Sequence, residues 1–230
     1  SGAVSPSGHL TDTYAVKNAS APSAQNFGDL QWANANPDIS MNDAIVEAEN
    51  IYIGYKYYET RYEDSILNPA SGASGTTGSS FGGGWNYAAE VTYPFGYGLS
   101  YTTFEQTLNS VSYDADQDMF TATVTVKNTG SVSGKSVVQL YVQTPYGDYE
   151  KTNLVEKSAI QLVAFDKTKL LAPGASETRQ LEVDKYFLTA YDSHGAKGYI
   201  LSEGTYYLSL GDDAHDALNN VLARKNASGL

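Results

Sequence analysis

The side chains that could do chemistry are few and scattered. Hydrolysing a sugar linkage takes two carboxyl groups facing each other across the bond, about 5 Å apart when configuration is retained and farther apart when it is inverted. Acids gather at Glu47, Glu49, Glu59, Glu63 and Asp64, in an Ile- and Tyr-rich stretch without a catalytic motif, and they read as solvated helix or loop acids. His9, His194 and His215 lie far apart and form neither an HxxxH nor an HxH pair, the spacings that bring two imidazoles to one metal; each reads as a surface or turn residue. With no cysteine there is no thiolate nucleophile, cysteine metal site or disulfide. Residues 71–84, SGASGTTGSSFGGG, lack the Lys and the following helix of a phosphate-binding loop. They read as a mobile loop projecting from the body. Asp212 and Asp213 precede a helical stretch and read as an N-cap, since no EF-hand spacing surrounds them. No cofactor and no metal is implied, and no residue is assigned a catalytic role.

The body that must carry these residues is globular. Its composition, 41% hydrophobic, 12% aromatic and 17% charged, is far from that of disordered chains. At 230 residues the chain exceeds the usual domain of roughly 100–150, which suggests one domain with a long extension or two small ones. Fourteen basic against 26 acidic residues leave a net charge of -12. That charge repels phosphate backbones and anionic lipid, so nucleic acid and membrane are not expected partners. No apolar run approaches the roughly 20 residues that span a bilayer, and the start, SGAVSPSGHL, lacks the basic and apolar regions of a signal peptide. A soluble protein is expected, with the choice between cytoplasm and secretion open. Nineteen tyrosines against seven phenylalanines suit sheet faces with one wet edge and equally suit sugar-facing surfaces.

From residue 107 onward, short alternating runs bounded by turn residues predict a mainly β, antiparallel sandwich. The clearest run is 120–126, with Phe120, Ala122, Val124 and Val126 on one face and threonines on the other. Runs at 107–113, 137–143, 159–165, 177–183 and 206–210, with a short strand near Tyr199, make seven. The predicted core is Val124, Val126, Leu140, Val142, Leu181 and Leu208. The first hundred residues predict a long irregular connector with periodicity only over 45–58, and 214–225 predicts a helical turn that runs into a linker at 226–229.

The segment Tyr93-Pro-Phe-Gly-Tyr-Gly-Leu-Ser-Tyr-Thr-Thr-Phe104 resembles the PFGYGLSYTTF signature at the entrance to the fibronectin type III-like domain of family 3 glycoside hydrolases of the β-glucosidase type. Gly96 and Gly98 would permit tight turns there, with Phe95, Leu99 and Phe104 as apolar anchors. Residues 51–59, IYIGYKYYE, are similar to the family's IYVGYRYYD stretch. Downstream, 134–142, 171–174 and 204–211 look like its GKEVVQLYV, LxPGE and GxYxxxVG stretches. Residues 6–13 look like PSGRLPxT, which closes the family's α/β sandwich domain, with departures at His9, Thr11 and Asp12.

The resemblance implies four parts. Residues 1–28 would be the tail of an α/β sandwich domain, 29–104 a connector with the Gly/Ser loop, 105–212 a seven-stranded immunoglobulin or fibronectin type III-like sandwich, and 213–230 a C-terminal helical turn and linker. It implies an accessory region whose partners are the catalytic barrel and α/β sandwich domains of the same polypeptide and, through them, a carbohydrate substrate. The whole would hydrolyse terminal β-linked sugars with two carboxylates, and the family's SDW-like nucleophile motif has no counterpart in this chain. Some bacterial members place the barrel after the fibronectin-like domain, and 215–223 resembles the connector of that arrangement. Trp85 and Tyr87 are the substrate-rim candidates: they either stack on a sugar beyond the cleaved residue or pack against a neighbouring domain. The competing expectation is a free-standing carbohydrate-binding or adhesion module that uses Tyr141, Tyr146 and Tyr149 as a platform.

Overall fold

The computed structural model describes residues 3–25 and 49–225. In chain order it contains β1 (Tyr14–Ala15), α1 (Pro22–Gln25), α2 (Tyr55–Leu67), α3 (Tyr87–Glu90), β2 (Val91–Tyr93), β3 (Phe104–Asp114), β4 (Met119–Asn128) and β5 (Val137–Gln143). These are followed by α4 (Asp148–Asn153), β6 (Gln161–Lys167), β7 (Ser176–Asp184), β8 (Ala190–Asp192), β9 (Gly198–Ile200), β10 (Tyr207–Leu210) and α5 (Ala214–Arg224).

Alternation turns the second half into two antiparallel three-stranded sheets, β3-β4-β7 and β10-β5-β6. Their inner faces share one core, in which Val124, Val126, Val138 and Leu140 are fully buried beside Val142, Leu181 and Val183, with Leu208 half-buried at its edge. Five of the six predicted core residues are buried in it and Leu208 packs against it, while Ala122, Val138, Leu171, Val183 and Leu188 complete it. Strand β5 is an exception to alternation, because all but its first residue are buried. Its outward Tyr141 is covered by α5, whose Ala214, Ala217, Leu218, Val221 and Leu222 line one helical face. Asp213 caps that helix by accepting from the Asp216 N–H at 2.8 Å, as expected.

The mainly β sandwich holds, and two details differ from the prediction. The strand near Tyr199 joins neither large sheet; it pairs with β8 as a separate hairpin. The 3-10 turn Lys185–Leu188 ends β7, and the Asp192 carboxylate then gathers the N–H groups of His194, Gly195 and Ala196 at 2.7–3.0 Å, closing the hairpin on itself. The connector is also not irregular throughout, because α2 is a 13-residue helix. Tyr55, Glu59, Tyr62 and Ile66 follow one helical stripe toward the sandwich and α5, while Tyr58 packs beside Trp85, Tyr87 and Val91. The boundary expected at 28/29 and the linker at 226–229 lie outside the described residues.

Candidate functional site

Three elements distant in sequence meet at Glu59. The carboxylate is fully buried in the middle of α2. The Tyr87 hydroxyl of α3 donates to Oε1 at 2.5 Å, and His215 Nδ1 of α5 lies 2.9 Å from Oε2. The imidazole stacks on the Tyr87 ring with centroids 3.8 Å apart and planes 11° from parallel, while Tyr62 leans on both. Burial pushes the Glu59 carboxyl above its usual range, against the pull of His215 and Tyr87. Burial and then the charge of Glu59 drive the Tyr87 phenol far up, so this hydroxyl is a standing donor. Both carboxylate oxygens are engaged inside the chain, which suits a clamp between connector and terminal helix. A general acid or base needs reach to a substrate proton. The readings of Glu59 as a solvated acid and His215 as a surface residue are thus corrected: a buried carboxylate is paired with a half-buried imidazole.

The other expected acids do not join them. Glu47 lies outside the described residues, and Glu49 sits in the turn before α2, where its carbonyl accepts from the Tyr52 N–H at 2.8 Å. Glu63 Oε1 accepts from Gln143 Nε2 at 2.8 Å and from Lys225 Nζ at 3.1 Å. Asp64 lies next to it with its side chain reaching solvent, and the neighbouring protein, by partial desolvation and then by the charge of Glu63, raises its carboxyl.

Trp85 and Tyr87 are 3% and 7% exposed, packed with Tyr58 and Val91. The Arg61 guanidinium covers the indole at 4.8 Å from the ring. Arg61 also donates to Ala73 O at 2.8 Å, the backbone N–H of Trp85 donates to Gly75 O at 3.0 Å, and the backbone N–H of Ser80 donates to Glu90 Oε1 at 2.8 Å. The Gly/Ser stretch, expected to project, is therefore held against α2 and α3.

At residues 93–104 the chain turns through Gly96, which has φ of +86° and whose carbonyl accepts from Gln139 Nε2 at 3.1 Å. Gln139 also donates to Asp212 O at 2.8 Å and accepts from Tyr141 OH at 2.8 Å. His9 Nδ1 lies 2.5 Å from Gly96 O, so this histidine belongs to the junction as well. Phe95 stacks on Tyr55 at 4.4 Å and Phe104 packs on the sandwich core. Leu99, expected as an anchor, is 66% exposed.

The tyrosine platform does not form, because Tyr141 is wholly buried while Tyr146 and Tyr149 are exposed. Sequence reading also missed the buried Lys157–Glu150 pair, 2.9 Å apart, since seven residues of separation across a loop leave no periodic signal. No helix among the described residues is long and apolar enough to cross a membrane.

Comparison with known proteins gives this architecture a place. The family profile of the fibronectin type III-like domain matches residues 136–214. A β-glucosidase of Ruminococcus albus is 32% identical over 220 residues, covering 94% of this chain and 18% of its own length. The solved β-glucosidase of Paenibacillus barengoltzii superposes with a TM-score of 0.69 at 33% identity, over 94% of this chain and 19% of that one. The GH3 β-glucosidase of Bifidobacterium adolescentis does so with a TM-score of 0.67 at 25% identity, over 94% and 25%. The chain thus spans about a fifth of the length of the proteins it resembles, and a free-standing binding module is not favoured. Domain profile, fold and near-complete alignment agree that the chain carries a fibronectin type III-like domain and is similar, over nearly all of its length, to one part of family 3 β-glucosidases.

Proposed function

We propose that the chain works as the non-catalytic accessory region of a larger β-glycosidase acting on terminal β-linked sugars. Residues 1–28 would close an α/β sandwich domain, 29–104 connect it to the sandwich at 105–212, and 213–230 lead onward. The observation that carries this reading is the alignment of 94% of the chain to under a fifth of a β-glucosidase. The engagement of both Glu59 oxygens within the chain supports it. Trp85 and Tyr87 serve this role by packing, a choice supported by their burial: they hold the Gly/Ser loop where it meets a neighbouring domain.

The purified 230-residue chain should not hydrolyse an aryl β-glucoside above background, whereas a polypeptide that adds the barrel and α/β sandwich domains should. Turnover by the chain alone that vanishes in Glu59→Ala or Glu63→Ala would overturn the reading. Trp85→Ala in the larger polypeptide should lower its melting temperature and reduce turnover of short and long substrates alike. A selective loss on longer substrates would restore the stacking role.

A further inference from the structure

Between α2 and the loops at one end of the sandwich lies a groove of about 810 Å³, within the range of roughly 300–1,000 Å³ usual for small-molecule sites. Tyr52, Tyr146 and Tyr207 line it, and so do Asp64 and Lys151. The Tyr146 ring is 56% exposed, and its hydroxyl, like that of Tyr207, is bonded to no described residue.

Gln143 is 6% exposed and also lines the groove. Its Nε2 donates to Glu63 Oε1 at 2.8 Å and to Ala159 O at 2.6 Å. Both partners are acceptors, so the amide can point only one way, and its Oε1 is left as an acceptor that no described residue satisfies. That orientation offers Oε1 to the groove as an acceptor of fixed direction.

The charges narrow the class of ligand. Lys225 is held by Glu63 at 3.1 Å and Lys157 by Glu150 at 2.9 Å, leaving Asp64 and Lys151 as one group of each sign with no ion-pair partner among the described residues. That balance gives a strongly anionic or cationic ligand no advantage. Tyrosine faces for C–H surfaces, with carboxylate, amide carbonyl and ammonium for hydroxyls, match a neutral pyranose.

We infer that this groove is a sugar-binding site for a short neutral oligosaccharide, with Tyr146 stacking on a pyranose ring and Gln143 Oε1 accepting one of its hydroxyls. The β-linked gluco-class of the ligand rests on the accessory-region reading above.

Titration of the 230-residue chain with cellotriose, followed by calorimetry and by amide chemical shifts, tests it. Saturable binding is expected, with shifts at 143–146 and 205–207. Tyr146→Ala should weaken it about tenfold, the loss of about 1.4 kcal/mol that one stacked ring supplies. Lys151→Ala, an exposed change that leaves the fold untouched, should weaken it too. Tyr199→Ala, at an exposed ring outside the groove, should not. Absence of saturation, or binding indifferent to both Tyr146→Ala and Lys151→Ala, overturns the site. The outcome is independent of catalysis: cellotriose binding without β-glucoside hydrolysis by the larger polypeptide would sink the accessory reading alone, and hydrolysis without binding would sink the groove alone.

Discussion

A carboxylate with no solvent contact is tolerable only if its charge is answered, and Glu59 has a phenol on one oxygen and an imidazole on the other. Removing His215 strips one hydrogen bond and the ring stacked on Tyr87. His215→Ala should therefore cost about 3 kcal/mol or more in urea unfolding. Its pH dependence has a definite sign. Because burial holds Glu59 above the ordinary 4.5, the folded state binds its proton more tightly than the unfolded state does, so this group's stability contribution falls as pH rises above 4.5. Losing His215 enlarges that effect, so the variant's deficit should grow with pH, and Glu59→Gln in the same background should remove the growth. A deficit flat in pH would mean that the stacked ring, and not the charge, is what His215 supplies. Gly96 is a second residue with no substitute. A Cβ there would lie 2.3 Å from Gln139 Oε1 and 2.8 Å from Tyr141 OH, and both side chains are buried. Gly96→Ala should cost at least the roughly 1–3 kcal/mol of an overpacked core, with left-handed strain added, read as a drop in melting temperature.

At the scale of elements, α4 is tied to the loop before β10. Lys157 Nζ donates to Glu150, to Ser202 Oγ and to Pro145 O at 2.6–2.9 Å. Burial alone would push the Glu150 carboxyl up; bonds from Ser202, Lys157 and the Gly147 N–H outweigh it and hold it at about 2 against an ordinary 4.5. A depressed carboxyl contributes its stability above its unfolded value and loses it as pH falls. Acidification from about pH 5 to pH 2 should therefore remove up to about 3 kcal/mol from the native protein and much less from Glu150→Gln. Equal acid sensitivity in both would refute the clamp. The strands of the sandwich were legible in sequence because burial of one face writes a period of two, plainest in β4. Helix α2 was not, because its buried stripe is built from tyrosines and Glu59, whose polarity hides the 3.6-residue period and whose rings favour strands. The Glu59 clamp was invisible for the same reason that it works: its partners Tyr87 and His215 lie 28 and 156 residues away. The hairpin strand near Tyr199 was legible as a strand, while its partner, fixed by the Asp192 turn, was not.

Across the whole molecule, β5 is the shared wall. Leu140 and Val142 belong to the core between the sheets, and Tyr141 belongs to the second core formed with α5, Ile160 and the inner face of α2. Gln139 and Tyr141 continue this wall by hydrogen bonds to the turn at Gly96 and to the start of α5. Neither core can be lost without uncovering one face of the same strand, so connector, sandwich and terminal helix should melt together. Leu218→Ala, at a fully buried position of α5, should cost about 2–5 kcal/mol and lower a single transition without splitting it. Near-ultraviolet circular dichroism, weighted toward the tyrosine-rich connector, and far-ultraviolet circular dichroism, weighted toward the sheets, should trace the same curve before and after the substitution. If the aromatic signal of Leu218→Ala melts first while the sheets persist, the connector is only an appendage of the sandwich. In that case the two faces of β5 do not couple the parts of this chain.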